Sequence, residues 1–346
     1  MRQRLYLKER YSALTSYMSA IIAIIGGIQL IPLLLLPFYP AEIIHAPAFL
    51  MAGLPLLILG ALGWQYFKPD EHISVTLEEG FVVVVIIWVL AILSGALPIM
   101  LINELNFTQA IFESTSGWTT TGLSVVDVTT TPKLLLFFRS VIQLAGGAGL
   151  AILALSTIVG PIGSSLSVAE GRSDQLAPHV RESLQIVVRL YLTYILLGII
   201  GLALAGMSLF DAVNHTFAAV STGGFSTRPE SIGYWDSPTI EAITIVLMFV
   251  GTINFLVAYT ALKGKWRALM RHGEIRLMGL MIPLVSILLF SVVTVGLYPT
   301  LSKSIRVTVF ETISAISTTG FSTVSYTDWS EFGWFMLIIL MKMLIE

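Results

Sequence analysis

The sequence predicts an all-α integral membrane protein made of repeated units, each a helix, a re-entrant helix with its loop, and a second helix, preceded by an extra N-terminal helix pair. Three observations predict it. The chain is 55% hydrophobic and 12% charged, with a mean hydropathy of +0.86, far more apolar than a soluble domain. Its apolar runs are long enough to cross about 30 Å of hydrocarbon. A short Thr/Gly pattern recurs three times, each time between two such runs.

The first run, Ala13 to Phe38, is too long for a signal-peptide core. It is followed by another apolar run, Pro47 to Phe67, instead of a small-residue cleavage site, so it reads as a retained span. Further spans are expected from Gly80 to Leu101, Leu134 to Val159, Ile186 to Gly206, Pro238 to Leu262 and Leu277 to Leu297, with an eighth starting near Phe332. Cytoplasmic loops retain positive charge during insertion. One side holds Arg2, Arg4, Lys8, Arg10, Lys68, Arg172, Arg181, Arg189, Lys263, Lys265, Arg267, Arg271 and Arg276; the other holds Lys133, Arg139, Arg228, Lys303 and Arg306. This asymmetry predicts a multi-pass protein of the cytoplasmic membrane, surrounded by lipid, with a cytoplasmic N-terminus.

Several function classes drop out. A net charge of −2 without basic or acidic blocks gives nucleic acid nothing to bind. The absence of Cys removes disulfides, thiolate chemistry and Cys-based metal sites. No nucleophile–base pair, Gly-rich phosphate loop or His-Glu metal motif occurs, so an enzyme is not expected and no cofactor is expected in this chain.

The repeat carries the functional reading. Phe107–Val126 reads FTQAIFESTSGWTTTGLSVV, Leu209–Thr227 reads LFDAVNHTFAAVSTGGFST, and Val307–Thr323 reads VTVFETISAISTTGFST. Superimposing Gly122, Gly224 and Gly320 aligns Thr120 with Thr222 and Thr318, and Ser124 with Ser226 and Ser322. In each unit a half-length helix of about ten residues, about 15 Å long, enters the outer half of the membrane and the chain turns back. Irregular backbone at that depth needs protein or a water-filled cavity around it, so the turns together surround a polar axis. The candidate ion-binding residues are Thr119, Thr120, Thr121 and Gly122; Ser221, Thr222, Gly223 and Gly224; and Ser317, Thr318, Thr319 and Gly320. Gly permits backbone conformations that turn successive carbonyls inward, and carbonyl oxygens can replace the hydration shell of a potassium-like cation. Re-entrant helices aim their partly negative C-termini at the same point. No carboxylate lies in the three core triplets, which suits a monovalent ion that must also leave.

At these residues the chain resembles the Trk/Ktr/HKT superfamily of potassium transporters, whose subunit carries four K+-channel-like units in one polypeptide. Arg139 to Gly149, RSVIQLAGGAG, looks like the family's first inner helix. Gly251 to Phe255 with Ala261 to Gly264 looks like its second, and the helix pair over residues 13 to 67 is similar to the TrkH branch. The resemblance implies potassium uptake through a selectivity filter at Gly122, Gly224 and Gly320. Glycine in place of serine in the first loop implies preference for potassium over sodium, and one glycine per loop implies a short filter with weaker discrimination than a dedicated channel. It also implies a homodimer and a cytoplasmic, TrkA-like regulatory subunit that carries the nucleotide, NAD or ATP.

The resulting division is an N-terminal two-helix domain (1–76), a first pore repeat (77–160), a second (161–264) and an incomplete third (265–346). The family's intramembrane gate loop, fourth filter and last-unit arginine are not in the sequence, which suggests a truncated or frame-shifted product or one half of a split gene. Transport that is channel-like or ion-coupled, a subunit unable to transport alone, and a secondary transporter for another small cation such as Na+ are the readings left. The last predicts inverted repeats, whereas these three share one orientation.

Several residues carry two readings. Gly146, Gly147 and Gly149 could form a gate, but close helix packing is the better explanation. Asn254 is an ion ligand or an interhelical hydrogen bond. Glu113 and Glu311, which align with His215, form an external acidic ring or brace the filter from behind. Arg139 snorkels or pairs with an acid. His179 and His272 fall among cytoplasmic charges and read as solvated. The glycosylation-like Asn106-Phe-Thr108 and Asn214-His-Thr216 both read as starts of re-entrant helices.

Overall fold

In the computed structural model of the protein, residues 2–67, 76–149, 180–253, 257–258, 261, 263–264, 267 and 270–343 are described. Lys68, Asn254, Phe255, Lys265, Arg172 and His179 lie outside them, as does the inner end of the span expected to reach Val159. The described residues form α-helices joined by short turns, without strands: α1 (Arg2–Leu30), α2 (Ala46–Tyr66), α3 (Leu77–Asn103), α4 (Phe107–Trp118), α5 (Lys133–Gly147), α6 (Val180–Leu204), α7 (Leu209–Val220), α8 (Pro238–Thr252), α9 (Gly273–Leu289), α10 (Leu301–Ile316) and α11 (Glu331–Met343). Among the described residues, five helical stretches are long and apolar enough to cross a membrane: Glu9–Leu35, Pro40–Tyr66, Glu78–Asn103, Val187–Leu204 and Ile275–Thr294.

The chain divides into two compact units. One comprises Met1–Trp118, Ser124–Val126 and Thr131–Val188; the other comprises Thr119–Leu123, Asp127–Thr130 and Arg189–Glu346. In the first, α1 and α2 cross where their backbones nearly touch. A Cβ on Gly26 would come within 2.6 Å of the Gly53 carbonyl oxygen, and one on Gly60 within 2.6 Å of the Ser19 oxygen. Small residues drive such approaches because lipid supplies no hydrophobic force between helices. Thr76 and Glu79 form a capping box at the start of α3, and Arg10 of α1 donates to the same Glu79 at 2.5 and 2.8 Å. The start of α5 is capped from afar: the Lys133 and Leu134 N–H groups donate to Glu42 at 2.9 and 2.8 Å.

In the second unit, α9, α10 and α11 share a core that includes Met278, Leu289, Val307, Ile316 and Leu340. Three boundaries differ from the sequence reading. The expected span Pro238 to Leu262 is not one helix, because α8 ends at Thr252 and Ile253 is extended, with φ −66° and ψ 132°. The helix expected to be the third re-entrant one begins at Leu301 instead of Val307, so α10 has 16 residues, about 24 Å of helix. Thr300 caps it by accepting from the Lys303 N–H at 3.2 Å, and Lys303 and Arg306 in its first turns pair with Asp236 and Glu241. Asn214 does not open α7 but lies inside it, donating to the Phe210 carbonyl at 2.7 Å. The cap is Ser208, whose hydroxyl accepts from the Asp211 N–H at 3.0 Å. Asn106 does start its helix: its side chain accepts from the Gln109 N–H at 2.9 Å.

Candidate functional site

The twelve predicted residues follow the ends of α4, α7 and α10, and 119–122, 221–224 and 317–320 all fall in the second unit. Their backbones repeat one unusual conformation. Thr120, Thr222 and Thr318 are left-handed at φ 54°, 53° and 56°, and two residues later Gly122, Gly224 and Gly320 have φ 81°, 74° and 81°. Only the glycines were expected from the sequence to leave the common regions. Left-handed backbone costs a side-chain-bearing residue about 1–2 kcal/mol, so three threonines so placed are held there by their surroundings.

In the second and third loops the hydrogen bonding of the loop amides holds them. In the second loop the Thr222 N–H donates to the Ala219 oxygen at 3.1 Å and the Gly223 N–H to the Ala218 oxygen at 2.7 Å. In the third, Thr318 donates to Ala315 and Thr319 to Ser314, both at 3.1 Å. The amides turn back onto the helix end that precedes them, so the loop carbonyls point away from it. Side chains follow the repeat where they can: Thr119 and Thr121 hydroxyls pair at 2.8 Å, as do those of Ser317 and Thr319. In the second loop Gly223 stands where the others have Thr, and Ser221 instead donates to the Phe217 carbonyl at 2.7 Å.

The loops meet through their glycines. A Cβ added at Gly122 would overlap the Gly223 carbonyl oxygen and lie 3.5 Å from the Thr319 oxygen, and one added at Gly224 would overlap the Thr319 oxygen. Each of these glycines thus faces a carbonyl of the next loop. The series stops at Gly320, where no described atom lies within 4 Å of such a Cβ.

After each loop a buried side chain at the aligned position ties down the outgoing segment. Glu113, fully buried, accepts from the Ser124 hydroxyl at 3.0 Å, the Val125 N–H at 2.9 Å and Arg139 Nε at 2.7 Å. Arg139 is 2% exposed and also donates to Ser124 Oγ at 2.7 Å. His215 bonds the Asp211 carbonyl through Nδ1 at 2.8 Å and the Ser226 hydroxyl through Nε2 at 2.9 Å. Glu311 accepts from the Thr323 N–H and hydroxyl, both at 2.8 Å, and from Tyr326 Oη at 2.5 Å. Glu113 and Glu311 are thus buried and hydrogen-bonded to the segments that follow the loops, and neither is exposed as an acidic ring would require. Arg139 pairs with Glu113 and does not snorkel. Gly146 serves packing, since a Cβ there would overlap the Trp118 carbonyl.

Residues 45–343 match the family described as TrkH, cation transport protein. The chain belongs to this family. The Trk system potassium uptake protein TrkH of Escherichia coli K12 is 31% identical over 336 residues, which cover 93% of this chain and 68% of that protein. The potassium uptake protein TrkG of the same organism is 31% identical over 312 residues, or 86% of this chain and 63% of that one. Among solved structures, the potassium transporter TrkH from Vibrio parahaemolyticus superimposes with a TM-score of 0.81 at 27% identity, covering 95% of this chain and 69% of that one. The TrkH-family chain is thus an all-α multi-pass membrane protein of a transporter family, not an enzyme family.

Proposed function

We propose that this chain takes up potassium across the cytoplasmic membrane, and that Thr119–Gly122, Ser221–Gly224 and Ser317–Gly320 form its selectivity filter. The observation that carries the reading is the threefold left-handed threonine followed two residues on by a positive-φ glycine. Alternating backbone handedness turns successive carbonyls to one side, and a row of such oxygens substitutes for the water shell of a large monovalent cation. Similarity to proteins named for potassium uptake supports the choice of ion. The N-terminus lies in the cytoplasm by the Lys/Arg asymmetry, and the pore repeats are 77–160, 161–264 and 265–346 after the helix pair 1–76. The chain acts as a homodimer with a TrkA-like cytoplasmic subunit, and any NAD or ATP is held by that subunit.

The test is growth at low potassium of cells lacking potassium uptake. Expressing the chain should restore growth, and changing Gly122, Gly224 and Gly320 each to Ser should abolish it. Equal rescue by both, with both proteins in the membrane, would overturn the filter assignment.

A further inference from the structure

Between the second filter loop and α8 the chain makes a 3-10 turn, Ser231–Trp235, that the filter reading does not use. It is entered at Ser231, with φ 53°, and left at Asp236, with φ 39°, two side-chain-bearing residues in left-handed backbone. Besides the Arg228 guanidinium stacked on Tyr234 at 4.4 Å, three sets of contacts reach from it toward the third loop or its helix. The Gly233 N–H donates to the Ser322 carbonyl at 3.1 Å, and the Ser322 N–H donates back to the Ser231 hydroxyl at 3.3 Å. A Cβ on Gly233 would lie 2.5 Å from the Thr323 carbonyl oxygen and 2.9 Å from its carbon, both backbone atoms that cannot step aside. Trp235 packs edge-on against His215 at 5.1 Å, and His215 in turn lies 5.6 Å from Phe321, the fully buried residue after Gly320. At the far end, Asp236 receives Lys303 Nζ and Arg306 Nη2, each at 3.0 Å, while Arg306 also pairs with Glu241.

The segment leaving the third loop is therefore gripped from two sides. Glu311 holds the Thr323 N–H from within the third repeat, and the turn holds both backbone polar groups of Ser322 from the second. We propose that Ser231–Asp236 is a clasp that sets the position of the third filter loop, with Ser231, Gly233 and Asp236 acting as positioning residues for ion discrimination although none lies in a filter segment. A loop fixed by its own helix end alone can slide along that helix. One tied at Ser322 to the preceding repeat cannot move without breaking two hydrogen bonds.

The inference rests on the filter reading, so the test separates the two. Thermal stabilisation of the purified full-length chain in detergent is titrated with K+ and with Na+, because an ion that binds only the folded state raises the unfolding temperature with its occupancy. The readout is the ratio of the two half-maximal concentrations, beside the melting temperature without either ion. Ser231→Gly suits its left-handed backbone and removes only the acceptor for Ser322. It should change the ion-free melting temperature little, because relief of the left-handed strain offsets the lost bond, and cut the preference for K+ by about threefold, the equivalent of a fraction of one hydrogen bond. Gly233→Ala should cut it by about tenfold, as a whole bond of ~1.4 kcal/mol would. Asp236→Asn should fall between no change and Ser231→Gly. Gly320→Ser is the control. If it alters the ratio and Ser231→Gly and Gly233→Ala do not, the clasp is wrong. If Gly320→Ser does not alter the ratio, or no ion stabilises the chain, the filter reading falls and the clasp with it.

Discussion

Helices α4 and α10 bury a glutamate at the same aligned place and use it for the same task, yet neutralise it differently. Glu113 of α4 meets a guanidinium, Arg139, which is itself 2% exposed. Glu311 of α10 meets hydroxyls of Thr323 and Tyr326 and one backbone N–H. Both carboxylates anchor the segment that leaves the loop, one at Val125 and the other at Thr323. Loops that look alike in backbone are thus braced by unlike chemistry, and the two braces should fail in unlike ways.

The largest expected effect is at Glu113. Glu113→Gln strands a buried cation, and breaking a buried pair by removing one partner costs about 3–5 kcal/mol. Detergent melting should drop steeply, and the double change Glu113→Gln with Arg139→Met should recover much of the loss. If the single change is silent, the pair is not what braces the first loop. Glu311→Gln comes next: an amide oxygen still accepts from Thr323 or Tyr326 and no charge is stranded, so the loss should be about 1–2 kcal/mol and the same melting curve measures it. Tyr326→Phe removes one donor and should cost about 0.5–1.5 kcal/mol. A Tyr326→Phe effect equal to that of Glu113→Gln would erase the distinction between the braces.

The smallest effect concerns pH. The Lys303 ammonium bonded to Asp236, with Arg306 beside it, holds the Asp236 carboxyl below the usual aspartate range. A folded-state value lower than the unfolded one stabilises the fold above the unfolded value, about 3.9 for a free aspartate, and that stabilisation fades as pH falls through the folded value. Because Asp236 is well exposed, salt screens the link. Melting temperatures of wild type and Asp236→Asn should coincide more closely at pH 3 than at pH 7, and more closely at high salt. A gap that widens on acidification would reverse the sign assigned to this link.

How much of this could be read from the sequence depends on the range of the interaction that decides each feature. Spans announce themselves through local hydropathy, and the register of Gly122, Gly224 and Gly320 through repetition. The left-handed threonines carry no local mark, because Thr is not a residue that favours such backbone; only the shared position two before each glycine could have pointed to them. The Glu113–Arg139 pair joins residues 26 apart, and a sequence shows that both are charged and apolar-flanked without saying that they meet. The early start of α10 was hidden because Lys303 and Arg306 look like loop charges until Asp236 and Glu241 are seen opposite them. The clasp at Ser231–Asp236 was invisible for the same reason, since its partners belong to another repeat.

The most direct test of the account is tracer potassium uptake, in the presence of excess sodium, by the chain in membranes that also contain its Trk partners, comparing wild type with Gly122→Ser. The account predicts uptake that resists sodium in the wild type, and a variant present in equal amount whose potassium uptake is suppressed by sodium, because a Cβ at residue 122 collides with the Gly223 carbonyl. Identical uptake and identical sodium sensitivity in both would contradict the assignment of these loops as the filter.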